Sequence, residues 1–314
     1  MTEPQLIEEP SAARDRSRLT RFALVDPALL GVALFRPLPK QHRSAARRQM
    51  VEVDTLFDGR KLRVVSPYTL GADDLSVMLA ACGMAGLLGK ALSASRSEAH
   101  RIAIVDGLES EGEVVEATHV RVRTSLYALV REAGLTNAGD AYRRVTESLM
   151  RLRGVYYADL GGEGDNARRL RAGGKQNLLG TDVDEGTGEI RIVLNARFAA
   201  AILGGHHIRI DLDETRQLSE QGRILHARLS VAIRVGAHLR VPVDRLAEWI
   251  YGGPPRSNQQ TRDRRRYIRE ALAEIGGLAD WAVAEEPRRK LVEVGRSGRD
   301  GRPGPHQGTL PLDM

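Results

Sequence analysis

The residues from Pro254 to Ile275 predict a surface helix with one buried side, and they constrain the fold more than any other part of the chain. Two prolines open the segment, and Ser257 or Asn258 can cap the first helical turn. Apolar residues recur at helical spacing and form a stripe: Ile268, Leu272 and Ile275. The fold must therefore supply a core against which this stripe packs, while the rest of the helix stays in solvent.

The polar side of this helix carries side chains suited to reading a DNA major groove. Arginine donates two hydrogen bonds to guanine, and asparagine or glutamine pairs with adenine. Recognition helices contact base edges mainly through their N-terminal halves. We therefore expect the earlier residues to contact bases and the later ones to lean towards phosphate: Asn258, Gln259, Arg262 and Arg265 for bases, Arg266 and Arg269 for phosphate. A solvated charged face is the alternative interpretation of the same residues.

The charge balance of the chain favours a polyanionic partner. Its 314 residues suffice for two ordinary domains, and the formal net charge is +6 with a pI near 9.7. Aromatic residues make up only 4% of the chain, so base stacking on a single-strand platform is not the expected binding mode. The single cysteine, Cys82, lies in an apolar helical run, which predicts a buried structural thiol and excludes an internal disulfide.

The sequence indicates a protein without catalytic residues, cofactor or metal. It has neither a phosphate-binding GxxxxGKS/T loop nor a GxSxG nucleophile elbow. His206 and His207 are adjacent rather than at metal-ligand spacing, and strand alternation places His207 and Asp211 on one solvated face. The first twenty residues are polar, and no apolar run approaches the roughly 18 residues that cross a membrane. We expect a cytoplasmic protein with no membrane partner.

The predicted elements give an α+β fold in which one order of elements occurs twice. Helix, short strand, helix, turn, helix and strand hairpin follow one another near residues 72–194 and again near 219–294. This order is that of a winged helix-turn-helix, whose third helix is the candidate recognition helix. Polar composition predicts disordered N- and C-terminal tails. The predicted parts are a largely irregular N-terminal tail and packing segment, two tandem winged-helix domains, and a C-terminal tail: 1–48, 49–204, 205–294 and 295–314.

Three segments of the chain carry a family resemblance. They are LGADDL from Leu70 with MAG from Met84, GGHHIRIDLDETRQLSEQGRILHARL from Gly204, and RRRYIREAL from Arg264. These segments resemble the RepC replication initiators of IncQ-type plasmids. The similarity covers residues 65–290, and the chain departs from the family pattern at residues 90–116 and in both tails.

The resemblance implies a bacterial protein that binds iterons, the directly repeated sites of a plasmid origin in double-stranded DNA. Bound copies help to open the adjacent DNA, and a plasmid or host replicative helicase acts next. Iteron initiators as a group switch between dimers and DNA-binding monomers, so a homodimer is a further expected partner.

Two pairs of arginines outside the main helix are candidate DNA contacts. Arg288 and Arg289 lie in the turn between the last two predicted strands, where a wing tip can reach the DNA backbone or minor groove. Plain solvation of that turn is an equally weighted alternative. Arg143 and Arg144 lie on the third helix of the first repeat, where arginines scatter around the helical wheel. We expect auxiliary phosphate contacts from this pair.

The C-terminal tail contains a candidate sliding-clamp peptide. Gln307, Leu310 and Leu312 are similar to the hexapeptide with which many bacterial proteins dock into the replicative clamp. The usual leucine of that peptide is replaced by Gly308. A tail that buries two leucines in a preformed pocket would bind with modest affinity.

Two other functions compete with an initiator. A winged-helix transcriptional repressor would share the recognition helix, but it would bind a single palindrome rather than direct repeats. An enzyme that cuts or rejoins DNA would need a tyrosine nucleophile. The candidates for its active site are Tyr251 and Tyr267, together with His226 and Arg228. Both tyrosines are predicted to be structural.

Overall fold

The structure is a computed structural model of the 314-residue chain. It describes residues 19–38, 49–57, 60–88, 90–92, 110–111, 119–135, 139–162, 175–183, 189–204, 207–286 and 290–297. Most of both tails that the sequence predicts to be disordered, and residues 93–109 and 112–118, lie outside the described residues. Within the described ranges, no helix combines the length and the apolarity that crossing a bilayer requires.

The described helices vary in length from single turns to five turns. In chain order they are α1 (Pro27–Gly31), α2 (Ala72–Leu88), α3 (Leu126–Glu132), α4 (Asp140–Arg153), α5 (Ala196–Gly204), α6 (Leu212–Gln217), α7 (Glu220–Ala232), α8 (Val243–Tyr251) and α9 (Asn258–Gly276). Side chains that accept a hydrogen bond from a first-turn N–H start several of them: Asp26, Ser125, Asp211, Ser219 and Ser257. The ends of these helices are therefore set by local capping chemistry.

The described strands form four antiparallel sheets. In chain order they are β1 (Phe22–Val25), β2 (Val51–Phe57), β3 (Arg60–Ser66), β4 (Lys90–Leu92), β5 (Ser110–Glu111), β6 (His119–Ser125), β7 (Tyr156–Gly162), β8 (Lys175–Asn177), β9 (Leu179–Val183), β10 (Glu189–Leu194), β11 (Ile208–Asp211), β12 (Ala237–Pro242), β13 (Trp281–Glu286) and β14 (Leu291–Arg296). The sheet orders are β1-β11, β4-β6-β10-β9, β12-β14-β13 and β2-β3-β7-β8-β5. The mixed helix and sheet content confirms the predicted α+β class.

Two groups of elements follow the same order along the chain. In the first group, α2 precedes β6, α3, α4 and the β9–β10 hairpin; in the second, α7 precedes β12, α8, α9 and the β13–β14 hairpin. In both groups the strand just before the second helix pairs with the last strand of the hairpin, which gives β6-β10-β9, extended by β4, and β12-β14-β13. The first group also contains β4 and β5 between α2 and β6, and β7 and β8 between α4 and β9.

The two groups share one hydrophobic core. The helix α2 packs on α4 of its own group and on α7 of the other group, and α7 packs on α9. On α2, Leu79 and Cys82 are both 0% exposed, which confirms the predicted buried thiol. Burial raises the pKa of Cys82, so the thiol stays protonated and inert at neutral pH. The arginine-bearing helix α9 therefore packs on α7, which in turn packs on α2 in the shared core.

The N-terminal segment is more regular than the sequence predicts. Where a largely irregular packing segment is expected, residues 22–31 form β1 and α1. The strand β1 pairs with β11, with Phe22 opposite Asp211 and Val25 opposite Ile208. Such a four-residue strand becomes stable because a distant partner strand satisfies its backbone groups, and a local pattern does not report that partner.

The prediction that Asp211 lies on a solvated face of its strand is wrong. The residue is only 6% exposed, and its side chain accepts hydrogen bonds from the backbone N–H groups of Asp213 and Glu214 at 2.9 and 3.2 Å. It therefore caps α6, a short helix that was not predicted from the sequence. The alternation of apolar and polar residues that predicts β11 ends at this cap, and α6 is too short to show a helical pattern of its own. The neighbouring His206 lies outside the described residues, whereas His207 is described and half-buried.

Candidate nucleic-acid interface

The helix α9 has the two predicted sides. Ser257 caps it and accepts a hydrogen bond from the backbone N–H of Gln260 at 3.1 Å. The predicted apolar stripe is buried: Ile268 and Ile275 are 0% exposed, and Leu272 is 3% exposed. This side packs on α7, α8 and β13. The opposite side, which carries the predicted DNA contacts, faces solvent.

A tight turn sets the start of α9 relative to α8. Gly252 ends α8 with φ at 71°, a left-handed conformation that favours glycine, and its N–H bonds the Glu248 carbonyl oxygen. Arg264 reaches back from α9 and donates from Nη1 to the carbonyl oxygen of Gly253 at 2.6 Å. Its guanidinium also lies 4.6 Å from the ring centre of Tyr251. Arg264 is therefore a structural arginine within the arginine-rich segment.

Two of the four predicted contact arginines are held by carboxylates. Arg265 donates from Nε and Nη2 to the two carboxylate oxygens of Asp244, both at 2.6 Å, and Asp244 lies in the first turn of α8. Arg269 contacts the carboxylate of Glu285, on β13, through the same two atoms, with Nε and Nη2 each 2.9 Å from Oε1. Both arginines keep solvent access, with side chains 36% and 48% exposed.

The other residues of this side are less restrained. Arg266 is 59% exposed, and its ion pairs along the helix are long, to Asp263 at 3.6 Å and Glu270 at 3.9 Å. Its guanidinium also lies beside the Tyr267 ring. Gln259 donates to the Asp263 carboxylate at 3.1 Å. Arg262 and Asn258 are exposed, and in the described part of the chain neither side chain has a hydrogen bond or ion pair.

The electrostatics of the Arg265–Asp244 pair keep both groups charged. The hydrogen bonds from Arg265 lower the pKa of Asp244, and the same bonds raise the pKa of Arg265. Asp244 is exposed enough for solvent to screen this attraction, so the pair contributes little to stability. Its main effect is on the direction in which the guanidinium points.

The first group presents its predicted contacts differently. Arg143 is exposed and contacts Asp140 and Glu147 on its own helix, at 2.5 and 2.6 Å. Arg144 is half-buried and donates from Nε and Nη2 to the carboxylate of Asp73 on α2, at 2.9 and 2.7 Å. Arg144 therefore links two helices, while Arg143 keeps access to solvent. Their role as phosphate contacts stays a prediction.

Several predicted site residues cannot be placed. Arg288 and Arg289 of the hairpin turn, and the clamp-peptide residues Gln307, Leu310 and Leu312, lie outside the described residues. Among the residues that the structure does describe, no cluster of His, Cys, Asp and Glu side chains is arranged to hold a metal ion.

The tyrosines proposed as alternative nucleophiles occupy structural positions. Tyr251 is half-buried beneath Arg264, and burial raises the pKa of its hydroxyl to about 12. Tyr267 is half-buried beside Arg266, whose guanidinium lies 4.9 Å from its ring centre. His226 is fully buried, and its Nε2 lies 2.9 Å from the carboxylate of Glu214. Burial thus disfavours the ionised form of the Tyr251 hydroxyl.

A comparison with protein families assigns the chain. The model of the family described as replication protein C (RepC) matches residues 19–298, which is most of the sequence. The chain belongs to the RepC family. This confirms the family predicted from the three sequence segments, and the RepC match includes every described residue, α9 among them.

Comparisons with individual proteins are more distant. Two crystal structures of domains 2 and 3 of RctB are similar to this RepC-family chain, each at 12% sequence identity. The first, of selenomethionine derivatives, has a TM-score of 0.49 and covers 87% of this chain and 99% of that one. The second has a TM-score of 0.45 and covers 88% and 98%. A comparison with curated protein sequences found no match.

Sequence reasoning missed the two carboxylates that hold arginines of this RepC-family chain. Asp244 precedes Arg265 by 21 residues, and Glu285 follows Arg269 by 16. No periodicity within one helix reports such partners, because they come from a different helix and a strand. The only available signal was the position of Asp244 in the first turn of a predicted helix, where an acid also suits the helix dipole.

Proposed function

We propose that this RepC-family chain is a plasmid replication initiator that binds directly repeated sites of its origin through α9. Family membership supports the replication role, and the observation that carries the DNA contact is the geometry of α9. Its apolar stripe is buried in the core, and its arginines project on the opposite, solvent-facing side. The net charge of +6 favours the same polyanionic partner.

We further propose that both groups of elements act as winged helix-turn-helix units. The supporting observation is the repeated order of elements, together with equivalent sheet orders β6-β10-β9 and β12-β14-β13. In this interpretation α9 is the recognition helix of the second unit, and the β13–β14 hairpin is its wing, with Arg288 and Arg289 at the tip. The helix α4 is the counterpart of α9 in the first unit, and Arg143 is the better placed of its two candidate phosphate contacts.

The remaining steps of initiation are proposed from the family resemblance. Bound copies would help to open adjacent DNA for a replicative helicase, without catalysis by this chain. Gln307, Leu310 and Leu312 would contact the sliding clamp. Retention on immobilised clamp tests the latter directly: deleting residues 307–314 should abolish it, and unchanged retention would rule the peptide out.

The central experiment compares two duplexes of equal length, one with the direct repeats of the protein's own plasmid and one with a scrambled sequence. Binding to the repeats at physiological salt should be tighter by about 10³-fold or more. Arg265→Ala should reduce the ratio of the affinity for the repeats to the affinity for the scrambled duplex, because it removes a base contact. Arg266→Ala should weaken both duplexes alike and reduce the salt slope by about one ion, because it removes a phosphate contact.

Two controls make the result specific. Arg63, an exposed arginine on β3 paired with Asp54, provides a variant, Arg63→Ala, that removes the same charge far from α9 in the chain. A third duplex with a single palindrome distinguishes an initiator from a repressor, since tighter binding to the palindrome would favour the repressor. Equal binding to all three duplexes, fading steeply with salt, would mean that only phosphates are contacted, and would contradict the proposal.

A further inference from the structure

Asp244 and Glu285 each hold an arginine of α9 by the same edge of its guanidinium, a contact that we call the grip. In each pair the carboxylate faces Nε and Nη2, which form the side edge of the guanidinium. The two carboxylates come from different elements, the first turn of α8 and the end of β13, which flank α9. Arg265 donates from Nε and Nη2 to separate oxygens of Asp244, whereas both hydrogen bonds from Arg269 to Glu285 come from Nε. A side-edge contact from two independent elements on neighbouring arginines indicates a common function.

This grip leaves the outer edge of each guanidinium available. Arginine has five N–H donors, and the side edge uses only two of them. The three remaining donors are the two N–H groups of Nη1 and the outer N–H group of Nη2. Within the described residues, Nη1 has no hydrogen-bond partner in either arginine. Two of these donors form the fork that pairs with O6 and N7 of guanine. Each arginine can therefore keep its carboxylate while it contacts a base.

The spacing of the two arginines suits neighbouring base pairs. Arg265 and Arg269 are four residues apart on α9, so they lie on one side of the helix and about 6 Å apart along its axis. Successive bases along a strand rise by about 3.4 Å. Two forks held at this separation match guanines about two base steps apart.

We propose that Asp244 and Glu285 are positioning residues that hold Arg265 and Arg269 as a pair of guanine readers. The inference rests on the proposed function of α9. It moves Arg269 from a phosphate contact to a base contact, and Arg262 from a base contact to a phosphate contact. A free arginine side chain loses considerable rotamer entropy when it binds. The carboxylates fix the side chains before DNA arrives, so less entropy is lost on binding the correct base. Arg262 and Arg266, which have no such grip, are left for phosphates.

The negative charges of Asp244 and Glu285 provide a second reason for this assignment. A carboxylate beside a DNA-binding arginine repels phosphates, and therefore weakens binding to every sequence. A carboxylate that lowers the affinity for all DNA sequences but orients an arginine towards its base raises the specificity ratio, which is the ratio of specific to non-specific affinity. The alternative is that the carboxylates only compete with DNA phosphates for the arginines, and this alternative predicts a different experimental result.

The experiment measures binding of the full chain to a duplex that the wild-type protein has selected from a random pool, and to a scrambled duplex. The variants are Asp244→Asn and Glu285→Gln. The matched control is Glu270→Gln, which also removes one negative charge beside the arginines, from a side chain 61% exposed and 3.9 Å from Arg266. Circular dichroism and the midpoint of thermal unfolding verify that each variant is folded.

We expect the specificity ratio of Asp244→Asn and of Glu285→Gln to fall about three- to tenfold, part of the roughly five- to 150-fold that one bidentate arginine–guanine pair contributes. Glu270→Gln should strengthen binding to both duplexes alike and leave the ratio unchanged. Because the two test variants alter different elements, misfolding of one leaves the other informative.

Guanine replacement identifies the base. Substituting 7-deazaguanine, which lacks the N7 acceptor, should weaken wild-type binding at two guanines about two steps apart. At one of these guanines, replacement by 7-deazaguanine should not weaken the binding of Arg265→Ala any further. At the other guanine, it should not weaken the binding of Arg269→Ala any further.

The failures are distinguishable. If the wild-type chain does not prefer its selected duplex, the proposed function is wrong and this inference is wrong with it. If the wild type discriminates but the ratios of Asp244→Asn and Glu285→Gln match that of Glu270→Gln, the function stands and the positioning role is overturned. Stronger binding to both duplexes with an unchanged ratio would mean that the two carboxylates only compete with phosphates.

Discussion

Arg151 on α4 is a charged side chain that the protein holds almost completely out of water. It is 6% exposed, and its Nε donates to Asp74, which is 0% exposed, at 2.9 Å. Asp74 also accepts from the backbone N–H of Gly71 at 2.7 Å, just before α2 begins. The pair therefore ties α4 to the first turn of α2 inside the core, where each charge depends on its partner.

Replacing Arg151 should be far more damaging than replacing a neighbouring arginine. Arg151→Met leaves Asp74 buried without its counter-charge, and we expect the free energy of unfolding to fall by about 3–5 kcal/mol. Arg143→Met, on the same helix, removes a side chain that is 63% exposed and should cost at most about 1 kcal/mol. Urea unfolding of both variants measures the difference. Similar losses would mean that solvent reaches the Arg151–Asp74 pair.

Residues could be predicted where their role depends on neighbours within one element. The Ser257 cap, the Ile268–Ile275 stripe and the buried Cys82 all follow from local spacing, and the structure confirms them. The partners of the arginines could not be predicted, because Asp244 and Glu285 approach α9 only after the chain has folded. Arg144 illustrates the same limit: its partner, Asp73, lies 71 residues earlier.

At the scale of elements, a buried polar group joins α6, α7 and β13. The Glu214 carboxylate accepts from Nε1 of Trp281 at 3.1 Å, and its Oε2 lies 2.9 Å from Nε2 of His226. The rings of His226 and Trp281 meet edge to face, with centres 5.2 Å apart. Arg296 of β14 lies over the Trp281 ring and adds positive charge. The group thus anchors the β13–β14 hairpin to the helices behind it.

This group should make the hairpin sensitive to acid. Burial of Glu214 opposes its ionisation, but bonds with His226 and Trp281 and the charge of Arg296 outweigh that effect, so its pKa is lowered. A lowered pKa in the folded state stabilises the protein above the unfolded value of about 4.3, and the contribution is lost as the pH falls through the folded value.

The variant Glu214→Gln tests the link. It should lose about 1.5–3 kcal/mol of stability at pH 7, because hydrogen bonds to a charged group are replaced by weaker ones. The difference from the wild type should begin to shrink below about pH 4.3, where the carboxylate becomes protonated in the unfolded chain, and should continue to fall as the pH drops through the lower pKa of the folded state. Urea unfolding between pH 7 and pH 3.5, followed by Trp281 fluorescence in a Trp249→Phe background, measures it. A difference that stays constant with pH would contradict the assignment.

Elements could be predicted where a helix or hairpin carries its own pattern. Asp58-Gly59 between two β-prone runs indicates the β2–β3 hairpin, and the capped apolar stripe indicates α9. The five-stranded sheet could not be predicted in full, since β7 joins β3 across about 90 residues and no local pattern specifies that pairing. The strand β1 was missed for the same reason. The boundaries predicted for the four parts of the chain stay predictions.

At the scale of the whole molecule, the shared core predicts that the two groups of elements unfold together. The helix α2 packs on α7, α1 packs on α7, and β1 pairs with β11, so neither group has a complete core alone. Differential scanning calorimetry should therefore show one transition whose calorimetric and van't Hoff enthalpies agree. Two resolved transitions would mean that the groups are independent folding units.

The pairing of β1 with β11 also sets a delay during synthesis. Ile210 follows its partner Ala23 by nearly 190 residues, so the first strand leaves the ribosome long before its partner exists. At about 5–20 residues per second, the wait is on the order of 10–40 s. During that interval a nascent chain exposes Ala23 and Val25, both 0% exposed in the finished protein, to whatever chaperone or neighbouring chain is near. The two-stranded sheet of β1 and β11 can therefore close only after residues nearly 190 positions further along the chain have been made.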